Sequence, residues 1–462
     1  MAIFPPLAIG RDALLAHERA LQVTGHNIAN VNTPGFSRQR VLLEAVDPGS
    51  SGFGRGVRVI GVEQAVDPFL EARRLATASS LGGATTNREL LDRVQSLFPV
   101  QGPGIGSALQ EFFAAANSLA THPQDLAVRS DLLGRAESLA AQLRGVAGGL
   151  AVTQREADTR IAQAVNDANG LLASVARLNG AITASEFAGA TASDLRDQRR
   201  EALGGLAKIL DVRVVEQQDG GVNVFTAAGR ALVLGPLPST LATAGVTPPA
   251  GLDGAPLTDV GLRDAGGGLV ALDGALGGTL GALTTVRDQT LPAHAAALDT
   301  LAVTLRDAVN AVQTDPAGRD LDGAVGTPLF AGTGAADLTV ALTDPRGIAA
   351  ARSSNPADNA GALALVGLGD TRFAALGGGT LGDYFGTIQS AIGSQARSAV
   401  DTASVEENVA SALDAQRDAV SGVSLEEEFT DLIRFQRGFQ AAAQLITTSN
   451  RLLDDLFGLV TA

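Results

Sequence analysis

The chain has 462 residues, a formal net charge of −15, no cysteine and no tryptophan. The acidic balance argues against a nucleic-acid surface, because neutralising phosphates takes clustered Lys and Arg. The absence of cysteine excludes disulfides and thiolate metal sites. Hydrophobic residues make up 45% of the chain but aromatic residues only 4%, which points to many thin helices rather than one large core. The N-terminal MAIFPPLAIGRD lacks the charge pattern and cleavage site of a secretory signal peptide. No run approaches the roughly 18 apolar residues of a membrane span.

Leu7, Leu14, Leu21 and Ile28 are spaced seven apart and predict an amphipathic helix over Ala8–Asn30. ANVNTPGFSRQ, Ala29 to Gln39, ends it. Asn27, Asn30 and Asn32 favour local turn bonds, Pro34 holds Thr33 extended, and Pro34–Gly35 suits a type II turn running into Phe36. Short strands at Val41–Glu44 and Val57–Val62 flank a glycine-rich stretch. Helices are expected at Ala65–Ala78, Asn87–Phe98, Ile105–Thr121, Asp125–Gly180 (broken near Gly148) and Asp194–Leu210. RDQRRE, Arg196 to Glu201, reads as a solvated helix face.

The period then changes to two. Val212–Val215 and Val222–Phe225 flank QQDGG as a hairpin, and strands are expected next at Arg230–Leu234, Leu257–Leu262 and Gly268–Leu272. Helix resumes over Gly278–Val312 and Leu381–Val420. A hairpin is expected within Thr327–Leu342, and Gly367–Asp383 reads as a flexible connector. The final stretch carries a heptad seam of Leu425, Phe429, Leu432, Gln436, Phe439, Ala443, Ile446, Asn450, Leu453 and Phe457. As one helix it would be about 50 Å long. Ser424 and Glu427 match a capping box, and Glu426, Glu427 and Glu428 suit the positive end of the helix dipole. Each end of the chain thus carries a helix with an uncovered apolar stripe. The two would cover each other if they paired antiparallel.

The turn ANVNTPGFSRQ after an amphipathic helix resembles the signature of the bacterial flagellar axial proteins, the family of rod, hook and hook-associated proteins. LIRFQRGFQAAAQLITTSNRLLDDLFGL resembles that family's C-terminal partner helix. Three inner blocks, Ser193–Gly235, Gly278–Gln313 and Asp344–Leu368, look like the hook–filament junction members and stand in the same order. Thr314–Phe330 departs from the family pattern of His–Gly–Asp followed by two aromatics.

The expected fold is mainly α with an inserted β-rich domain, nested, with paired N- and C-terminal helices forming a coiled-coil unit. Residues 1–50 with 421–462 would form the axial unit. Residues 51–210 with 275–420 would form a helical body, and 211–274 the β-rich insertion. The resemblance implies a structural junction protein at the distal end of the hook, located outside the cell and exported through the flagellar type III apparatus. Its partners would be the hook protein, a second junction protein, other copies of itself and an export chaperone on the C-terminal helix. The assembly interface is expected at Leu7, Leu14, Leu21, Ile28, Leu425, Phe429, Leu432, Phe439, Ile446, Leu453 and Phe457. The termini are expected to order fully only on incorporation.

No catalytic, cofactor or metal residues are expected. His17 and His26 are nine apart and face opposite sides of one helix. GPGIGSAL, Gly102 to Leu109, lacks the Lys–Ser/Thr ending of a phosphate loop. DLDG, Asp320 to Gly323, would place Gly318 and Leu329 where a calcium loop requires carboxylates. The alternatives are a hook or rod axial protein, disfavoured by the large middle; a secreted wall hydrolase, which would need a cleft with two opposed carboxylates in the β-rich region; and a surface adhesin, in which that region would bind a host ligand.

Overall fold

In the computed structural model the described residues are 5–46, 54–189, 191–243, 249–263, 268–272, 276–355 and 357–461. Their helices are α1 (Pro5–Ala29), α2 (Pro68–Ser96), α3 (Ile105–Thr121), α4 (Leu126–Phe187), α5 (Ser193–Ile209), α6 (Gly278–Thr285), α7 (Leu291–Gln313), α8 (Ala360–Gly367), α9 (Leu381–Ser421) and α10 (Leu425–Thr461). The fold is mainly helical with small sheets set into it.

Two expected helix breaks are absent, for the same reason. A glycine inside a helix costs only about 1 kcal/mol, so packing decides whether the helix continues. In α4, a Cβ at Gly149 would lie 2.7 Å from Leu97 Cδ2; the glycine permits that close approach. In α2, a Cβ at Gly83 would meet the Gly278 carbonyl oxygen at 3.1 Å. α2 therefore joins the expected Ala65–Ala78 and Asn87–Phe98 helices into one. α4 buries Leu139, Leu143, Leu150, Ile161, Val165, Leu172, Val175 and Leu178 as its spacing predicts. At its start Leu132 is the buried residue, Leu126 is exposed, and Leu133 is half-buried.

The chain divides into two compact units. One comprises residues 1–80, 167–240 and 406–462, the other 81–166 and 241–405. In the first unit, β1 (Gln39–Ala45) pairs antiparallel with β2 (Val57–Gln64). β3 (Val212–Glu216), β4 (Val222–Thr226), β5 (Ala231–Leu234) and β6 (Leu237–Pro238) make a sheet in that order. A second sheet, β7 (Thr240–Ala242), β8 (Gly261–Arg263) and β9 (Leu269–Ala271), lies beyond the division at 240/241, apart from Thr240 itself. The strand-bearing stretch is thus shared between the units.

In the second unit, α6 and α7 are joined by a π-helical turn, Val286–Thr290. It carries the buried Arg287, whose Nη1 donates to Asp158 Oδ1 (2.7 Å) and to the Thr258 carbonyl (2.5 Å). Gln154 donates to the Arg287 carbonyl and accepts from Leu252 N–H, which ties the loop before β8 to the helices. The hairpin expected within Thr327–Leu342 is β10 (Phe330–Ala331) with β11 (Thr339–Val340). Gly367–Asp383 is a bonded turn rather than a flexible connector. Phe373 bridges Gly379, Leu376 is buried, and positive φ at Gly377 and Gly378 closes the turn. Asp320 accepts from the N–H groups of Asp322 and Ala324, and Asp322 pairs with Arg346, so the DLDG loop is held by its own bonds.

His294 is buried on α7 and bonds Gln395 at 3.0 Å. Burial pushes its pKa below the ordinary 6.5, opposed by the Gln395 bond. The unfolded chain therefore binds the extra proton first. Stability from this group is complete above about pH 6.5 and is lost as pH falls below it. Thermal melts between pH 7.5 and 5.5 should show that loss, and His294→Gln should flatten it. An unchanged pH dependence in the variant would contradict this assignment.

Candidate assembly site at the chain termini

α1 and α10 pair antiparallel. Gly10 lies against Ile446 and Ala442, His17 against Gly438 and Phe435, and Asn27 against Glu428, so the contact positions on α10 fall as those on α1 rise. The line of closest approach is built of small residues. A Cβ at Gly10 would lie 2.8 Å from Ile446 Cγ1, and one at Gly438 would lie 2.5 Å from the His17 ring. Ala16, Ala20, Val23, Thr24 and Asn27 are buried on α1, and Glu428, Ala442 and Ser449 on α10.

The heptad spacing is present, but its phase differs from the sequence expectation. The buried line on α10 passes through Glu428, Ala442 and Ser449, with Phe435 half-buried between them, one position before the Phe429, Gln436, Ala443 and Asn450 row. Gln436 and Asn450 are exposed. Leu7, Leu14, Leu21 and Ile28 are half-buried beside the line, as are Leu432, Phe439, Ile446 and Leu453. Leu425, Phe429 (52% exposed) and Phe457 face outward. The reason is steric: helices approach most closely where side chains are smallest, and the large residues flank the contact. Among the described side chains of α10, two apolar patches stay uncovered. Leu425, Phe429 and Ile433 (50%) are four apart and share a face; Leu445 and Leu452 (54%) are seven apart and share another. Leu15 is also exposed on α1.

The turn after α1 has the expected type II form. Phe36 N–H donates to the Thr33 carbonyl at 3.2 Å, with Pro34 and Gly35 in the centre and Gly35 at φ +79°. Only glycine adopts that φ without strain. Asn30 Nδ2 caps the His26 carbonyl at 3.0 Å, and Thr33 N–H and Oγ1 return to the Asn30 carbonyl and side-chain oxygens. Asn32, Thr33 and Pro34 are exposed, whereas Phe36 is buried edge-on against His26 at 5.4 Å.

The four residues from Phe36 to Gln39 are all buried, and the role of this arm was missed by sequence reasoning. Arg38 reaches α10. Its Nε donates to Glu428 Oε1 and its Nη1 to Glu427 Oε2, both at 2.6 Å. The pair is enclosed, with side chains 11% and 2% exposed for Arg38 and Glu428. Burial disfavours the Arg38 charge, but Glu428 and Glu427 outweigh it and hold the guanidinium above its ordinary pKa. Asn27 completes the network. Its Nδ2 donates to Glu428 Oε2 (3.0 Å) and the Gln39 carbonyl (2.9 Å), and its Oδ1 accepts Gln39 N–H (3.0 Å). Arg38 N–H donates to the Ser421 carbonyl and Arg417 to the Phe36 carbonyl, which fixes the end of α9 as well. Glu427 therefore serves this clamp. The acidic triplet read as helix-dipole complement supplies two clamp ligands, and the signal was an Arg directly after the turn facing a chain with acids at the start of its last helix.

RDQRRE is likewise not a solvated face. Asp197 accepts from Ser37 N–H and Arg200, and Gln39 reaches Asp194 at 3.1 Å. Arg199, 3% exposed, donates Nη1 to Asn179 Oδ1 (3.0 Å) and the Gly220 carbonyl (2.8 Å). Desolvation, with Arg196 and Arg200 nearby, lowers its pKa to about 10. Among the described residues no group of three or more His, Asp or Glu side chains is placed to hold a metal. None of their helices is long and apolar enough to cross a membrane.

Comparison with known proteins agrees with this layout. Residues 91–330 match the flagellar hook-associated protein FlgK helical domain. Residues 7–36 match the flagella basal body rod protein family, and 416–459 the flagellar basal body rod FlgEFG protein C-terminal family. Flagellar hook-associated protein 1 of Salmonella typhimurium is 26% identical over 548 residues, covering 96% of this chain and 98% of that protein. The Bacillus subtilis protein of the same name is 27% identical over 497 residues, covering 98% and 97%. The solved flagellar hook junction protein FlgK from Burkholderia pseudomallei superposes with a TM-score of 0.69 at 16% identity, over 76% of this chain and all of that one, which shows a shared fold. The termini carry the pattern of rod proteins and the middle carries a narrower one, and by that middle the chain belongs to the flagellar hook-associated protein FlgK family.

Proposed function

We propose that the chain is a structural subunit of the bacterial flagellum that polymerises beyond the hook and provides the surface on which the filament end builds. One observation carries the reading. The terminal helices pair with each other through their small-residue faces and leave Phe429, Ile433, Leu445 and Leu452 uncovered. A lone subunit gains nothing from those side chains. Neighbouring copies around a common axis would cover them, at roughly 1.5–3 kcal/mol for each fully buried residue. In this reading the paired termini are the axial part of the subunit.

The hook protein and a second junction protein are the proposed partners at the two ends of the layer. The apolar surface of α10 calls for a chaperone before export, and the flagellar type III apparatus is the proposed route. The rod and hook alternative shares the termini but not the segment 91–330. Deleting the gene should leave hooks without attached filaments, and restoring the chain should recover attachment. Hooks missing altogether, as a rod subunit would require, would overturn the reading.

A further inference from the structure

The first unit contains a second feature that the terminal helices do not use: an apolar cleft of about 680 Å³ between the start of α2 and strand β3. Its walls include Val66, Ala72, Leu75, Ala76 and Leu203. β3 lies at the edge of its four-stranded sheet. At its two ends, Ala227 N–H donates to the Asp211 carbonyl (3.3 Å) and Gln217 N–H to the Gly221 carbonyl (2.9 Å). An antiparallel ladder bonds alternate residues, so Asp211, Arg213, Val215 and Gln217 face β4. The N–H and C=O groups of Val212, Val214 and Glu216, all three of which line the cleft, then point away from β4; the Glu216 carbonyl accepts from the Gln217 side chain at 3.4 Å, and Val212 and Val214 supply the open edge. The opposite edge of the sheet, β6, contains Pro238, which has no N–H to offer. One edge is blunted and the other is left open beside an apolar wall.

The cleft also contains a charge without a direct counter-charge. Arg199 lines it and is buried, yet its Nη1 bonds the Asn179 amide oxygen and the Gly220 carbonyl, both neutral. Glu186 and Glu216 act on it only through space, and Arg196 and Arg200 oppose it. Of the other charged groups lining the cleft, Arg200 bonds Asp197 and Glu71 bonds Arg74. Asp211 and Glu216 stand at the two ends of β3, with Arg213 between them.

We propose that this cleft binds an extended acidic segment of a partner polypeptide, which adds as a strand to the open edge of β3 and sets a carboxylate against Arg199. Strand addition takes its affinity from main-chain bonds and its selectivity from pockets for alternate side chains. Here apolar side chains of the segment would face α2, and its acid would relieve a guanidinium that burial and like charges disfavour.

The probe is a fluorophore-labelled Thr-Val-Glu-Val-Thr amide, titrated against the intact chain by anisotropy. Saturable binding is expected, at least tenfold weaker when Gln replaces the Glu. Val214→Pro removes an edge N–H while leaving the bonds to β4, and Ala76→Trp fills the cleft from its α2 wall. Each should weaken binding at least tenfold with the chain's melting little changed, and Ala76→Trp carries the test alone should the proline variant not fold. No saturable binding, equal binding of the Gln peptide, or indifference to Ala76→Trp would overturn the proposal. So would dodecanoate binding in the cleft without peptide binding, or sedimentation showing that copies of the chain pair through this edge instead.

Discussion

Glu428→Ala should destabilise the first unit by about 3–5 kcal/mol, because it leaves Arg38 buried without its main partner. Glu427 is largely exposed and Asp431 stands at 3.7 Å, so neither replaces the enclosed Nε–Oε1 contact. Asn27 loses an acceptor at the same time. The effect should be local before it is global. Hydrogen exchange should accelerate first in Pro5–Ala29 and Leu425–Thr461, the helices that the clamp holds in register. Breaking a buried pair costs more than replacing it whole. Arg38→Met combined with Glu428→Leu should therefore recover much of the loss in a denaturant titration. A single variant as stable as the parent, or a double variant worse than the single one, would refute the clamp.

The second large effect should fall on assembly and not on folding. Ile433 and Leu452 are about half exposed and lie off the line where α1 meets α10. Ile433→Asp or Leu452→Asp should change monomer stability by no more than about 0.5 kcal/mol, as for ordinary surface substitutions. In the polymer the same carboxylate would be buried without a partner in every copy, which a contact of a few kcal/mol cannot absorb. Swarming on soft agar should be lost, and electron microscopy should show bare hooks. These positions separate the two effects better than Phe439, which is half-buried beside the helix pair, so an acid there would disturb pairing and assembly together. Normal swarming in both variants would refute the assembly surface.

Much of the layout was legible because it rests on local rules. Period seven marked both terminal helices, Pro34–Gly35 named its own turn type, and the change to period two located β3 and β4 within a residue. The hidden features depend on contacts distant in the chain. The phase of the helix pair is set by where Gly10 and Gly438 allow close approach, which a hydropathy pattern weighted to large residues does not reveal. The Arg38–Glu428 pair joins residues 390 apart. Arg199 and Asp197 read as solvated because a charged helix usually is; the elements that bury them, the turn arm and the β3–β4 hairpin, arrive from elsewhere. The gap expected between Ala78 and Asn87 and the break expected near Gly148 are closed by packing at Gly83 and Gly149, whose partners lie elsewhere in the chain.

The most direct test places a photocrosslinking amino acid at Ile433 in otherwise native chains. After irradiation of intact flagella, adducts should join this position to another copy or to an adjoining flagellar subunit, and dilute purified protein should give none. Adducts confined to the same chain in both samples, or none in flagella, would mean that α10 does not present this face to neighbours.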